Sequence, residues 1–258
     1  MGGYKIKIYM LSRPMIDLDT LERFLNDENL DWRRTSGAQS AEELVEFAGR
    51  ICYLSFGPSQ SPRNNAEYIS NLISQGHESV LEHASWSFLL CGISRSFSHQ
   101  LVRHRAGFSF SQLSQQYHGE EAAKFVIPEF VRQLPEAENI WRQSMQSAKE
   151  AYLQIMELVE EGGEGVATTK RRKEKLRAAR SAARSVLPNA TETKIVITAN
   201  ARALRHFLKL RGSIEGDEEM RRVSALILEE FQNEAPSLFS DFSLDSLEDG
   251  SPIVRHSG

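Results

Sequence analysis

Thr193-Lys194-Ile195-Val196-Ile197-Thr198-Ala199-Asn200-Ala201-Arg202-Ala203-Leu204-Arg205-His206-Phe207-Leu208-Lys209-Leu210-Arg211 changes its pattern part-way. Residues 193–199 are strongly β-forming, Asn200 is an N-cap residue, and residues 201–210 continue at helical spacing. A strand here feeds directly into a capped helix, and the strand of residues 4–10 with the helical spacing of 41–51 and 66–74 makes the opening read α+β. On that helix Arg202 and His206 stand four apart and share one face, while Leu204, Phe207, Leu208 and Leu210 supply the packing side. The plainer reading of the polar face is a solvated helix surface.

Working outward, residues 218–231 read as a last helix before a polar tail that starts at about 243. Upstream, residues 137–160 are amphipathic at helical period, and Glu161-Gly162-Gly163-Glu164-Gly165 breaks them. Residues 168–186 then resume helical spacing until Pro188, so two helices form a hairpin. Toward the start, residues 4–10 alternate as a strand, and residues 41–51 and 66–74 carry helical spacing. Residues 79–91, with Trp86, Phe88, Leu89 and Leu90, read as a buried strand, and residues 94–102 turn helical just after Gly92. With no internal repeat and no linker, residues 1–258 read as a single domain.

Composition narrows the function classes. Apolar residues make up 40% and charged residues 26%, the mix of a globular protein rather than a disordered or fibrous one. The opening segment lacks a secretory apolar core and no run is long enough to span a bilayer, so the expected address is cytoplasmic, away from membranes. Cys52 and Cys91 are too few for a disulfide framework, and both are expected to be buried thiols. A net charge of −4 gives no global field for nucleic acid, which leaves local anion binding for the clustered arginines.

The most unusual stretch runs from Gln100 through Arg103-His104-Arg105 to Gln112, Ser114, Gln116 and Tyr117. Guanidinium forks hold phosphate or carbonyl oxygens bidentately, and hydroxyl and amide groups read a base edge, so the inventory suits a nucleotide. Alternatively Arg103 and Arg105 only complement the negative end of the preceding helix, worth about 0.3–1 kcal/mol each. His77-Glu78-Ser79-Val80-Leu81-Glu82-His83 invites a metal reading, but it lacks the two-histidine zinc spacing on one helical face. Residues 170–180 are rich in Lys and Arg; without interleaved aromatics they read as a solvated helix rather than a nucleic-acid patch.

Taken in order, these segments resemble the flavin-dependent thymidylate synthases. The hallmark of that family is Arg-His-Arg, seven residues and a serine; here Arg103-His104-Arg105 is followed by eight residues before Ser114. His77…Glu82-His83, the stretch from Arg184 to Thr193, and Asn200-Ala201-Arg202…His206-Phe207…Arg211 agree without displacement, so the resemblance covers roughly residues 51–242.

The resemblance implies a twisted antiparallel sheet flanked by helices, in a homotetramer whose FAD sites lie between subunits. It implies reductive methylation of dUMP to dTMP, with methylenetetrahydrofolate as carbon donor and FAD recharged by NADPH. Carried over residue by residue, Ser79, Glu82, Arg103, His104, Arg105, Gln112, Asn200, Arg202 and His206 would contact FAD. Gln100, Arg103, Gln112, Ser114, Gln116 and Arg184 would surround dUMP, and Arg211 would polarise the uracil. No metal is implied, and the remaining partners are small molecules.

Arg211 stays charged in any protein environment and can stabilise an anionic ring, so no cysteine nucleophile is required. Three features depart from the family pattern: the longer loop at Ala106-Gly107-Phe108, Gln116 at a usual arginine position, and Glu215-Gly216 in place of a His-Ala pair. A missing charge-assisted contact at Gln116 would cost about 1.5–3 kcal/mol. These departures leave open an FAD-binding relative that acts on a different substrate. A non-enzymatic nucleotide sensor is the other alternative.

Overall fold

Capped amphipathic helices and short alternating strands make up the computed structural model, which describes residues 5–161 and 169–257. In chain order the elements are β1 (Lys7–Ser12), α1 (Leu18–Asp27), α2 (Ser40–Tyr53), α3 (Asn65–Ser74), β2 (Ser85–Ser94) and α4 (Arg95–Leu101). Then follow β3 (Phe108–Gln112), α5 (Glu129–Arg132), α6 (Pro135–Glu161), α7 (Thr169–Ala183), β4 (Glu192–Asn200), α8 (Ala201–Arg211), α9 (Glu218–Glu234), β5 (Phe242–Ser246) and β6 (Pro252–His256). The class is α+β as expected, with antiparallel strands and flanking helices; the four-stranded sheet has the order β1-β2-β4-β3, and β5 pairs antiparallel with β6.

The described residues gather into two compact units. The first takes residues up to Lys7, Leu90–Arg103 and Ser111–Ile195; the second takes Ile8–Leu89, His104–Phe110 and Val196 onward. In the first unit α6 and α7 form the expected helical hairpin. Tyr152 and Met156 of α6 pack against Ala179 and Ala183 of α7, with Ile155, Val159 and Leu176 around them. The alanines admit the larger side chains, and the Tyr152 hydroxyl accepts a bond from the Glu120 amide at 3.0 Å. Ser94 starts α4 by accepting from the Phe97 amide at 3.0 Å, which satisfies one of the helix's orphan donors.

In the second unit the core is aromatic. Phe231 of α9 meets Trp86 and Phe88 of β2 edge-on, at ring-centre distances of 5.2 and 5.4 Å. A second cluster gathers Leu21 of α1, Trp32 and Phe56 around Phe47 of α2. Beside it the Arg50 and Glu46 side chains, both buried, pair at 2.7 Å, and Trp32 and Asn65 also donate to the Glu46 carboxylate. Those added donors offset the desolvation of the pair.

Several boundaries differ from the sequence reading. The stretch 79–91 divides: residues Glu78–His83 form a 3-10 turn and the strand is Ser85–Ser94, because Val80 and Leu81 are consecutive buried residues rather than alternating ones. Leu210 is half exposed and does not share the packing side of α8, while Arg205 takes a buried position on it. Cys52 is exposed and Cys91 only partly buried, not the two buried thiols expected. The stretch read as a polar tail from about 243 closes into the β5–β6 hairpin, with Ile253 and Val254 buried. Helix α1, started by Asp17 accepting from the Thr20 amide at 2.9 Å, was not anticipated. Tyr4 and residues 162–165 of the glycine-rich break lie outside the described residues.

Candidate functional site

Asn200 ends β4 and caps α8, its side-chain oxygen accepting from the Ala203 amide at 2.9 Å. The cap orients the first turn of the helix, so Arg202 and His206 stand exposed on one face while Ala203, Leu204, Phe207 and Leu208 are buried. Gly107 joins this helix to the loop that carries His104 and Arg105. Its φ is +72°, and a Cβ there would lie 2.7 Å from the Ala203 Cβ and 2.8 Å from the Asn200 side-chain nitrogen. The Asn200 amide also donates to the Gly107 carbonyl at 3.2 Å. Only a glycine allows that approach.

The loop so held brings His104 against the far end of α8. Its ring packs on Phe207 at 5.2 Å and lies 6.2 Å from the His206 ring. The Arg211 Nε donates to His104 Nε2 at 2.9 Å, so that nitrogen is the acceptor and the ring proton sits on Nδ1. Burial, then the positive charge of Arg211 and the neighbouring His206, holds the His104 pKa below 6.5 and favours the neutral ring. With Nε engaged, the terminal guanidinium nitrogens of Arg211 have no hydrogen-bond partner among the described residues. On the exposed side, Arg202 pairs with Glu82 at 2.6 Å and lies 3.7 Å from Glu78, and Ser79 is exposed on the same 3-10 turn. Arg105 is exposed in the loop that carries His104.

The first unit carries the remaining candidates, Gln100, Arg103, Gln112, Ser114, Gln116 and Arg184. Gln112 Nε2 donates to the Ser98 hydroxyl at 2.9 Å and to the Thr193 hydroxyl at 3.2 Å, so its amide nitrogen is engaged within the protein. Ser114 accepts from the Gln116 amide at 3.3 Å, which turns the chain and leaves both side chains half-buried. Gln100 is half-buried on α4, Arg103 is exposed just past it, and Arg184 is exposed in the 3-10 turn after α7.

Arg95 belongs with them and the sequence reading did not single it out. Its Nη1 reaches the Leu113 carbonyl at 3.4 Å, next to Ser114. Burial holds its pKa below the usual arginine range; Glu120 opposes that shift and the Arg184 charge adds to it. The signal available in sequence was its position directly after the Ser94 cap. Among the described residues no group of three His, Cys, Asp or Glu side chains could hold a metal ion.

Residues 35–237 match the family model for thymidylate synthase complementing protein. The chain belongs to the flavin-dependent thymidylate synthase family. It is 42% identical over 232 residues to the flavin-dependent thymidylate synthase of Mycobacteroides abscessus, covering 90% of each chain. The enzyme of that name from Corynebacterium efficiens is 40% identical over 240 residues, 93% of this chain and 94% of the relative. That of Mycobacterium avium is 42% identical over 233 residues, 90% of each. As a member of this family the chain is an enzyme. No helix is long and apolar enough to cross a membrane among the described residues.

Proposed function

We propose that this chain binds FAD and dUMP and converts dUMP to dTMP, with methylenetetrahydrofolate as carbon donor and NADPH as the reductant. The observation that carries the reading is the Arg211–His104 hydrogen bond, which fixes a guanidinium by its Nε and leaves its fork open toward a ligand. A bidentate fork matches the N3–C2=O edge of uracil in its anionic form. A charge that is already oriented stabilises the anionic ring without reorganisation, and so makes C5 nucleophilic. No thiol is needed. Burial holds the Cys91 thiol above its usual pKa, the opposite of an activated nucleophile.

The donor set of the second unit fits FAD. A pyrophosphate needs exposed cations and hydrogen-bond donors, and Arg105, Arg202 and His206 supply them with Ser79 beside them. Glu82 and Glu78 hold the Arg202 side chain in position, and Asn200 fixes the helix start behind it. Neutral His104 presents a packed ring face rather than a second charge. When bound, the flavin supplies the hydride chemistry that these side chains cannot. Arg103 and Gln112 are assigned to both ligands, as the family pattern has them.

For dUMP, Gln100, Ser114, Gln116 and Arg184 are assigned to the nucleotide together with Arg103 and Gln112. Arg95 is added to this group. Its guanidinium, with that of Arg184, supplies phosphate charge that Gln116 lacks. The assembly is a homotetramer with FAD sites between subunits, working in the cytoplasm on small molecules.

The test is dTMP formation from dUMP with FAD, NADPH and methylenetetrahydrofolate. Product is expected, and Arg211→Ala is expected to lower kcat by about 100-fold, the scale for loss of one preorganised electrostatic group. Absence of product from the unaltered chain over a wide dUMP range overturns the reading. Flavin reoxidation by other nucleotides but not dUMP would instead establish a relative with a different substrate, the reading that Gln116 favours. A colourless preparation that does not take up FAD would favour a sensor.

A further inference from the structure

We propose that the C-terminal hairpin β5–β6, with Arg221, is a clamp that positions Arg211 for its work on the substrate. The proposal rests on the reading of Arg211 given above. Arg211 is the last residue of α8, where a helix runs out of internal hydrogen bonds and frays unless its carbonyls find partners. Gly212 follows at once. Its carbonyl accepts from the Val254 amide of β6 at 3.0 Å, and a Cβ on Gly212 would lie 2.6 Å from the Val254 Cβ. The strand therefore lies directly on the residue next to Arg211.

Arg221 of α9 closes the other side. This nearly fully buried guanidinium donates through Nη1 to the carbonyls of Ile214 and Glu215, through Nε to Pro252 at 3.2 Å, and through Nη2 to the Ser251 hydroxyl at 2.7 Å. Ser251 in turn donates to the Asp249 carboxylate at 2.5 Å, which fixes the hydroxyl as an acceptor for Arg221. One cation thus ties the segment after Arg211 to the start of β6. At the other end of the hairpin, Asp241 grips Arg205 of the same helix with two bonds of 2.6 Å.

Helix α8 is held at both Arg205 and Gly212, and the side chain at its end keeps its 2.9 Å bond to His104. The hairpin lies downstream of the segment that the family model matches. Its role is a positioning one: none of Arg221, Ser251 or Val254 bonds Arg211 itself. A displacement of about 1 Å at a catalytic group costs about 100-fold in rate, so small slack at Gly212 is expected to register at the uracil edge.

The experiment compares full-length Arg221→Lys and Ser251→Ala with the unaltered chain and with Tyr152→Phe, a destabilising control in the other unit. Hydrogen–deuterium exchange over residues 211–216 is measured together with kcat, the KM for dUMP and Tm. The two clamp variants are expected to speed exchange in that segment at least tenfold. They are also expected to lower kcat about tenfold or more, with the KM for dUMP within about threefold and flavin retained. Tyr152→Phe lowers Tm without either change. Unaltered exchange at residues 211–216 in the milder Ser251→Ala variant, or a kcat that tracks Tm alike in all three, overturns the clamp. If the unaltered chain makes no dTMP, the role given to Arg211 fails, while the exchange measurement still decides whether the hairpin holds it.

Discussion

Gly107→Ala isolates the close approach on which the proposed flavin-binding cluster depends. The substituted residue must keep φ near +72°, and its methyl group must fit 2.7 Å from the Ala203 Cβ and within 2.9 Å of both side-chain ends of Asn200. Holding an L-residue in the left-handed region costs about 1–2 kcal/mol. Overpacking against a side chain and a helix cap adds about 1–3 kcal/mol, giving roughly 2–5 kcal/mol in all. At about 2–4 °C per kcal/mol for a chain of this size, Tm should fall by roughly 4–20 °C.

Gly37→Ala is the control for the backbone part. Gly37 has φ +80° and nothing within 4 Å of an added Cβ, so it carries the strain without the clash, about 1–2 kcal/mol. The difference between the two variants is the contact itself. Because the clash lifts the loop bearing His104 and Arg105 from α8, Gly107→Ala should also weaken FAD binding at least tenfold, whereas Gly37→Ala should leave it alone. Thermal unfolding followed by circular dichroism and a flavin titration read both effects. Equal Tm losses in the two variants, with FAD affinity preserved in each, would refute the packing argument.

Three further outcomes follow from the charges. His104 has a folded pKa below its unfolded value near 6.5, so the unfolded chain binds the proton more readily. Its contribution to stability is fully present above pH 6.5 and is lost as pH falls through the folded pKa. His104→Gln should flatten that slope in urea melts between pH 7.5 and 5; an unchanged slope would count against a neutral His104. Burial pushes the Asp241 pKa up, but the hydrogen bonds and charge of Arg205 outweigh it and the net pKa is lowered. That stability is present above about 3.8, the ordinary value, and lost as pH falls through the folded pKa. Asp241→Asn leaves Arg205 buried without its counter-charge and should cost about 3 kcal/mol by urea denaturation, and a loss under about 1 kcal/mol would show that the pair adds little. Gln116→Arg should restore a charge-assisted contact of about 1.5–3 kcal/mol and lower the KM for dUMP roughly 10–100-fold; no change in KM would mean Arg95 and Arg184 already saturate the phosphate.

The elements legible in sequence are those whose signal is local. Asn200 caps α8 as its position predicts, Ser94 stands at the start of α4, and α6 and α7 follow their periods, because capping and amphipathicity involve residues three or four apart. Strand β3 carried a local signal too: Phe108 and Phe110 alternate with Ser109 and Ser111, and the two rings stack at 5.5 Å. The hydroxyl and amide groups of that stretch suit a nucleotide equally well and mask its period. The hairpin at 242–256 was hidden because a polar surface strand and a polar tail have the same composition; only the burial of Ile253 and Val254 distinguishes them.

The sequence by itself determined the inventory of this protein: which cations exist, which helix carries Arg202, His206 and Arg211, and which family pattern they follow. Tertiary structure alone decided the partners. Arg211 meets His104 across 107 positions and Arg202 meets Glu82 across 120. Burial that lowers the His104 and Arg95 pKa values is a property of packing, since desolvation depends on neighbours that chain spacing does not encode.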